Sequence, residues 1–382
     1  MKRIHEFEAL RGLLALWVVV GHVLRHAGYE SQDVGGFGLL ARPGLPVDAF
    51  IVLSGFVIFN LLDAKDEGYW PFIIRRFFRL FPLYFFAMCV GALTATAYES
   101  WIVSFPWQTK FIAGTGAIAA ATVAYLPLQM LTHLTMLHGM VPNSVLPFSE
   151  YAIVGQAWSI SVEWQFYLVA PLLLFLLRRS PIALALVIAG IVLVHSRHWL
   201  GEGFAINQAA YFVIGIVCYY GYKYRRTGGL TTQTIWLAAA ISASLIVFLT
   251  THAASLVIWV IFFASALQAD IGGQNFISRL CQTRALRFLG KISYSVYLCH
   301  MFVIAGISEV LLRIDPQIGK LTHVGILMPA ALFLTLFVST FTFYLIERPG
   351  MTLGQRFSDF VAARFPRPPA PAPAAEMPSN AP

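Results

Sequence analysis

EALRGLLALWVVVGHVLRH, residues 8–26, is apolar enough to cross a membrane, yet it carries Arg11 and His22 within its apolar run. An ionisable side chain is costly in hydrocarbon, and one kept there usually lines a pathway or a polar cavity. Eleven residues at 100° each make three turns plus about 20°, so on a helix the two share one face, ~16 Å apart along the axis. The stretch therefore predicts a spanning helix with a functional stripe, a guanidinium towards one end and an imidazole in the other half. The bland alternatives are an arginine that snorkels to the interface and a histidine bonded to a neighbouring helix. Two such residues on one stripe favour function.

The whole chain agrees with that first helix. Of 382 residues, 58% are hydrophobic and only 12% are charged, and the mean hydropathy is +0.71. Apolar runs of spanning length recur at 7–27, 45–63, 79–98, 158–177, 182–200, 207–222, 232–250, 253–270, 291–311 and 325–346, each judged against the ~20 residues a span needs. The first is too long for a cleavable signal, and no small-residue cleavage site follows it. The expected fold is an all-α polytopic membrane protein of about ten transmembrane helices.

Charge orients it. With the N-terminus inside and the spans alternating, 19 of the 26 lysines and arginines fall on the cytoplasmic side. That bias obeys the positive-inside rule and places both termini in the cytoplasm. The net charge of +8 is then topology and calls for no nucleic acid. Residues 111–137 are also apolar enough to cross, but an extra crossing would turn Arg178–Arg179 and Lys223, Arg225 and Arg226 outward. They are read as re-entrant or lying along the outer face, where irregular backbone is tolerated if buried in protein or lining a cavity. Residues 1–349 form the expected membrane domain. Residues 350–382, ending RFPRPPAPAPAAEMPSNAP, read as a disordered cytoplasmic Pro/Ala-rich tail. The four cysteines have no metal-ligand spacing, and no internal repeat points to a transporter.

Other stretches carry chemistry. RRFFR places Arg75, Arg76 and Arg79 as one patch at the cytoplasmic mouth of the third span. Arginine forks match phosphate geometry, although such a patch can also be a plain anchor. QAWSISVEWQFYL opens the fourth span from outside and carries Glu163 a turn or more inside. By depth Glu163 could meet His22. VDAFIVLSGF contributes Ser54, a small residue suited to close helix approach. KISYSVYLCH puts Tyr294, Tyr297 and His300 on one stripe that could line a polar cavity.

Together, in this order, these pieces resemble the acyltransferase 3 family of bacterial membrane O-acyltransferases. The matching elements are LRGLLAL with Arg11, ten intervening residues and then His22; VDAFIVLSGF; RRFFRLFPLY; WSISVEWQFYLVAPLLL; SYSVYLCH; and IERP. They run over residues ~4–350; each is weak alone and all six in register are strong. The chain departs from relatives in having Glu8 where Asp is frequent, and Glu163–Trp164 where two acids are frequent, so the family's acidic role carries to Glu163 alone. The resemblance implies about ten spans, a cytoplasmic acyl-CoA donor, and an acceptor that is usually a carbohydrate hydroxyl on the outer side. It implies that Arg11 and His22 belong to the donor path and active centre. It leaves no room for the soluble domain fused to some relatives, so a stand-alone module or a borrowed partner is expected.

The expectation is therefore a multi-pass protein of the bacterial inner membrane that moves an acyl group, most simply acetyl, from acyl-CoA to a glycan hydroxyl. Arg11, Arg75, Arg76 and Arg79 would bind the donor. His22 would act as general base, with a transient acyl-histidine as a variant, and Glu163 would orient it or the acceptor. A thioester is already activated, so no metal and no resident cofactor is required. The rivals are a transporter or acyl-relay conduit without its own glycan transfer, a small-molecule glycoside as acceptor, and a polytopic sensor or scaffold.

Overall fold

The computed structural model describes residues 4–65, 67–179, 201–224, 254–270, 273 and 275–365. Among them there is no strand. The helices are α1 (His5–His26), α2 (Gly44–Lys65), α3 (Tyr69–Ile102), α4 (Lys110–Ala124), α5 (Leu126–Leu134), α6 (Trp158–Arg179), α7 (Ala209–Tyr224), α8 (Ala254–Asp270), α9 (Phe276–Cys281), α10 (Arg284–Ile314), α11 (Lys320–Thr342) and α12 (Arg348–Arg364). Six segments are long and apolar enough to cross a membrane: α1, α2, α3, Gly155–Arg179, α10 and Lys320–Arg364. α7 and the shorter apolar α8 coincide with two further expected spans. The spans expected at 182–200 and 232–250 lie outside the described residues. Large apolar side chains such as Leu93 and Phe333 stand exposed on helices, as a surface facing lipid requires.

Local chemistry sets the helix ends. α1 has Glu6 and Glu8 in its first turn and Arg25 and His26 in its last, each opposing the nearby end of the helix dipole. Thr109 caps α4 by accepting from the Ile112 N–H at 3.2 Å. The segment expected to be re-entrant is a pair of helices, α4 and α5, bent by 93° at Tyr125. Pro127 sits in the first turn of α5, where its missing N–H costs nothing.

Glycines bring the spans close. A Cβ at Gly290 on α10 would stand 2.1 Å from the Glu8 carbonyl of α1, and one at Gly12 would meet Leu289 and Gly290. Gly55 and Gly215 do the same for α2 and α7. Such small-residue crossings let dispersion replace the hydrophobic drive that lipid cannot supply.

The two ends of the bundle differ. At one, Asp63 of α2 gathers Arg178 of α6, Lys223 at 2.6 Å and Tyr219 of α7. At the other, the Trp107 Nε1–H donates to the His26 carbonyl at 3.0 Å and Lys320 Nζ to the Gly28 carbonyl at 2.9 Å. There too the Gly203 N–H donates to the Glu150 carboxylate at 2.8 Å. Burial raises the Glu150 pKa, against that hydrogen bond, which lowers it.

One expectation changes. Residues 348–364, assigned from 350 onward to the tail, form α12, which continues α11 through a π-helical segment, Phe343–Glu347. α12 packs along the first half of α3, with Gly350 against Pro82 and Gly354 against Phe78. A charged, Gly-containing helix has too little apolar run to stand out beside a spanning segment. The rest of the tail, residues 366–382, lies outside the described residues.

Candidate active site

The arginines gather at the end of the bundle where α3 begins. Arg11, Arg76 and Arg79 line one cavity of about 340 Å³ together with Glu163 and Tyr167. Their surroundings separate their roles. Arg79 is ion-paired with Glu347, whose second oxygen accepts from the Ser295 hydroxyl at 2.6 Å. Arg75 is turned away from the cavity, paired with Glu67 and donating to the Ser358 hydroxyl at 2.8 Å. Arg11 and Arg76 each keep a buried Nε without a hydrogen-bond partner. Their guanidinium groups lie over the rings of Phe50 at 5.4 Å and Tyr167 at 5.8 Å. Of the expected donor-binding set, the structure thus brings three into one cavity and commits Arg75 to holding α12.

A second, mostly apolar cavity of about 520 Å³ adjoins the first. Phe50, Ser54 and Glu163 line both. Ala15 and Val18 of α1, Ser159 of α6 and Tyr294 and Tyr297 of α10 line the second. The Tyr294 hydroxyl donates to the Leu80 carbonyl at 2.7 Å, and the Tyr297 hydroxyl lies 2.8 Å from the Gln156 carbonyl and 2.7 Å from Ser159 Oγ. Both tyrosines are thereby fixed as walls.

His22 stands one turn beyond Val18 on α1, and His300 one turn beyond Tyr297 on α10. Their ring centroids are 5.2 Å apart. His300 Nδ1 is 2.7 Å from the Tyr297 carbonyl, which assigns the proton to Nδ1 and the lone pair to Nε2. Nδ1 of His22 and Nε2 of His300 are buried without partners.

The expected meeting of His22 with Glu163 does not occur. Glu163 accepts from the Tyr167 hydroxyl and shares its cavity with Arg11 and Arg79, whereas the ionisable groups facing His22 are His300, His26 and Arg25. Glu163 lies at the level of Ala15 and Val18, a turn or more short of His22, and His300 fills the place beside that ring. Sequence reasoning also passed over Tyr167, Glu347, His26 and His323. Two signals were available: Glu347 is the acid of IERP, and His26 sits one turn past His22 in the opening stretch.

The arrangement sets a polar, arginine-lined cavity against a mostly apolar one, with a group of imidazoles one turn beyond. Unpaired arginine forks at one end suit phosphate oxygens, and imidazoles at the other suit removal of a hydroxyl proton.

Comparison with known proteins agrees. No solved structure matches the chain at a significant level. Among curated proteins, it is 27% identical to the Putative membrane-bound transacylase BcsY of Komagataeibacter xylinus, over 95% of this chain and 86% of that one. It is 25% identical to Acyltransferase MdmB of Streptomyces mycarofaciens, over 79% of each. It is 23% identical to the Peptidoglycan O-acetyltransferase OatA of Listeria monocytogenes, over 91% of this chain and 56% of that protein. The family model described as an acyltransferase domain matches residues 4–347, nearly all of the described helical bundle, and the chain belongs to this acyltransferase 3 family of membrane O-acyltransferases.

Proposed function

We propose that this enzyme transfers an acyl group, acetyl in the simplest case, from cytoplasmic acyl-CoA to a carbohydrate hydroxyl at the outer side of a bacterial inner membrane. The observation that carries the reading is the pair of adjoining cavities, which runs from the unpaired forks of Arg11 and Arg76 past Glu163 to Val18 and Tyr297, one helical turn short of His22 and His300. Arg11 and Arg76 hold donor phosphates, and Arg79, neutralised by Glu347, keeps the mouth in shape. The apolar cavity takes the donor's flexible arm, so the thioester arrives beside His22. His22 removes the acceptor proton as the hydroxyl oxygen attacks the thioester carbonyl. Glu163 acts as counter-ion to the arginines until phosphate arrives. The names of two relatives, a transacylase and a peptidoglycan O-acetyltransferase, support an acyl donor and a glycan acceptor.

In this reading the chain crosses the membrane ten times with both termini inside, and α4–α5 return to the side they start from. The described residues flanking 180–200 support it: Arg178 is held at the Asp63 end, whereas Gly203 lies beside Glu150 and Gly139 at the other.

The test is thiol release from acetyl-CoA by purified protein with polysaccharide and peptidoglycan fragments as acceptors. Arg76→Ala should raise KM for acetyl-CoA and leave a short acetyl thioester without the nucleotide nearly unaffected. His22→Ala should lower kcat by roughly 10²–10⁴-fold with insertion intact. Equal loss on both donors for Arg76→Ala would reduce that arginine to an anchor. Donor turnover without glycan acylation would favour an acyl conduit.

A further inference from the structure

Beyond His22 the structure continues in histidines. His26 follows one turn later on α1, and His323 lies in the first turn of α11. With His300 they cluster at one end of the bundle: the His22 and His300 rings are 5.2 Å apart, His26 lies one turn from His22, and Trp107, 5.1 Å from the His323 ring, donates to the His26 carbonyl at 3.0 Å. His26, His300 and His323 have no solvent exposure. Both ring nitrogens of His26 and of His323 lack a partner, as do Nε2 of His300 and Nδ1 of His22. Aromatic rings wall the set: Phe111 at 5.4 Å and Phe105 at 6.0 Å from His26, and Trp107 at 5.1 Å from His323. A buried N–H without a partner costs about 1–3 kcal/mol, and phenylalanine at these positions would pack against the same rings without that cost. A structural role accounts poorly for three such imidazoles in succession.

We infer that His300, His26 and His323 carry the proton that His22 takes from the acceptor outward, to the face of the protein where α1 ends. The inference rests on the acyl-transfer reading above. In the transfer step the acceptor oxygen bonds to the thioester carbonyl carbon and the carbon–sulfur bond breaks. The acceptor proton passes to a nitrogen of His22, and the thiolate leaves towards the arginines, where it takes a proton from cytoplasmic water. His22 must lose its proton before the next turnover. The way back is the apolar cavity, filled by the donor arm and walled by tyrosines whose hydroxyls are bonded to carbonyls. The way outward is the cluster of imidazoles: His300, whose Nδ1–H is held by the Tyr297 carbonyl, takes up and gives back a proton at Nε2, whereas His26 and His323 can each accept on one nitrogen and release from the other. Among the described residues, no acid is an electrostatic neighbour of His22 or His26. Charged groups at that end include Arg25 of α1, lying over Phe111 and beside Glu30 and Arg42, Lys320 of α11, bonded to the Gly28 carbonyl, Lys110 at the start of α4, and Glu150, which accepts from the Gly203 N–H. The overall reaction is unchanged, but each turnover releases one proton outside and takes up one inside.

The experiment uses the full chain in proteoliposomes that enclose a pH dye and 4-nitrophenyl β-D-glucoside as acceptor. Acetyl-CoA, which does not cross the bilayer, is added outside, so only molecules with the arginine end outward are assayed. The lumen should acidify by one proton per thiol released. His323→Phe and His26→Phe should lower kcat about tenfold or more with KM for acetyl-CoA unchanged, and the solvent isotope effect on kcat should rise. His323→Gln keeps a polar side chain of similar size but cannot relay a proton and should stay slow. Imidazole enclosed with His323→Ala should recover part of the rate. Thiol release without luminal acidification, full kcat in His323→Phe, or recovery by His323→Gln overturns the relay alone. Failure of the wild type to release thiol in a His22-dependent manner overturns the acyl-transfer reading, and the relay with it.

Discussion

At the scale of single residues, three arginines that look alike in sequence have different work. RRFFR reads as one phosphate patch, but Arg75 and Arg79 have acidic partners, Glu67 and Glu347, and Arg76 keeps its fork free. Nothing local announces this, because Glu347 is 268 positions from Arg79. Arg79→Leu would strand a fully buried carboxylate, and removal of one partner from a buried pair costs roughly 3–5 kcal/mol. Arg79→Leu should therefore lower the thermal unfolding temperature in detergent sharply, and Arg79→Leu with Glu347→Leu should recover much of the loss. Arg76→Leu should leave the melt nearly unchanged. A melt equally lowered by both single substitutions would remove the distinction between a structural and a ligand-facing arginine. The stripe of Arg11 and His22, by contrast, was legible from spacing alone, because helix geometry fixes which residues share a face. The partner of His22 was not: depth along the membrane suggested Glu163, but depth says nothing of which helix packs beside α1.

At the scale of elements, α1 and α10 meet through Gly12 and Gly290, and this crossing sets where Arg11 and His22 stand relative to Tyr294, Tyr297 and His300. Gly290→Val would drive a side chain into the Glu8 carbonyl. Overpacking of this kind costs roughly 1–3 kcal/mol, and kcat should fall with it because α1 must move. Gly306→Val on the same helix has no atom within 4 Å of its added Cβ and serves as the control. Unequal effects on melt and kcat are expected, and equal effects would mean that the crossing does not set the site. Spans of uniform apolar character, such as α2 and α11, were readable from hydropathy. α12 was not, since its packing on α3 depends on two glycines and on Ser358, which donates to the Pro71 carbonyl at 3.0 Å.

At the scale of the whole molecule, sidedness is the testable statement. In a background without the four native cysteines, Gln32→Cys and Val145→Cys, both exposed, and Arg356→Cys on α12 probe the loops. An impermeant thiol reagent on intact spheroplasts should label positions 32 and 145 and spare 356. If 32 and 145 label oppositely, residues 110–134 cross the bilayer, and the 93° bend between α4 and α5 is then a broken span. The charge count alone gives the expected orientation, but it could not tell a crossing from a return, because the 111–137 stretch holds no lysine or arginine to decide it. One feature of the bundle would also act as a ruler. Arg11 and His22 stand on a single unbroken helix, so under the proposed acyl transfer the distance from phosphate grip to reacting carbon would be fixed by a count of residues, ~16 Å at 1.5 Å each. Donors would then be graded by the length of the tether between their anion and their thioester, and a carrier with a shorter arm would be gripped without ever being spent.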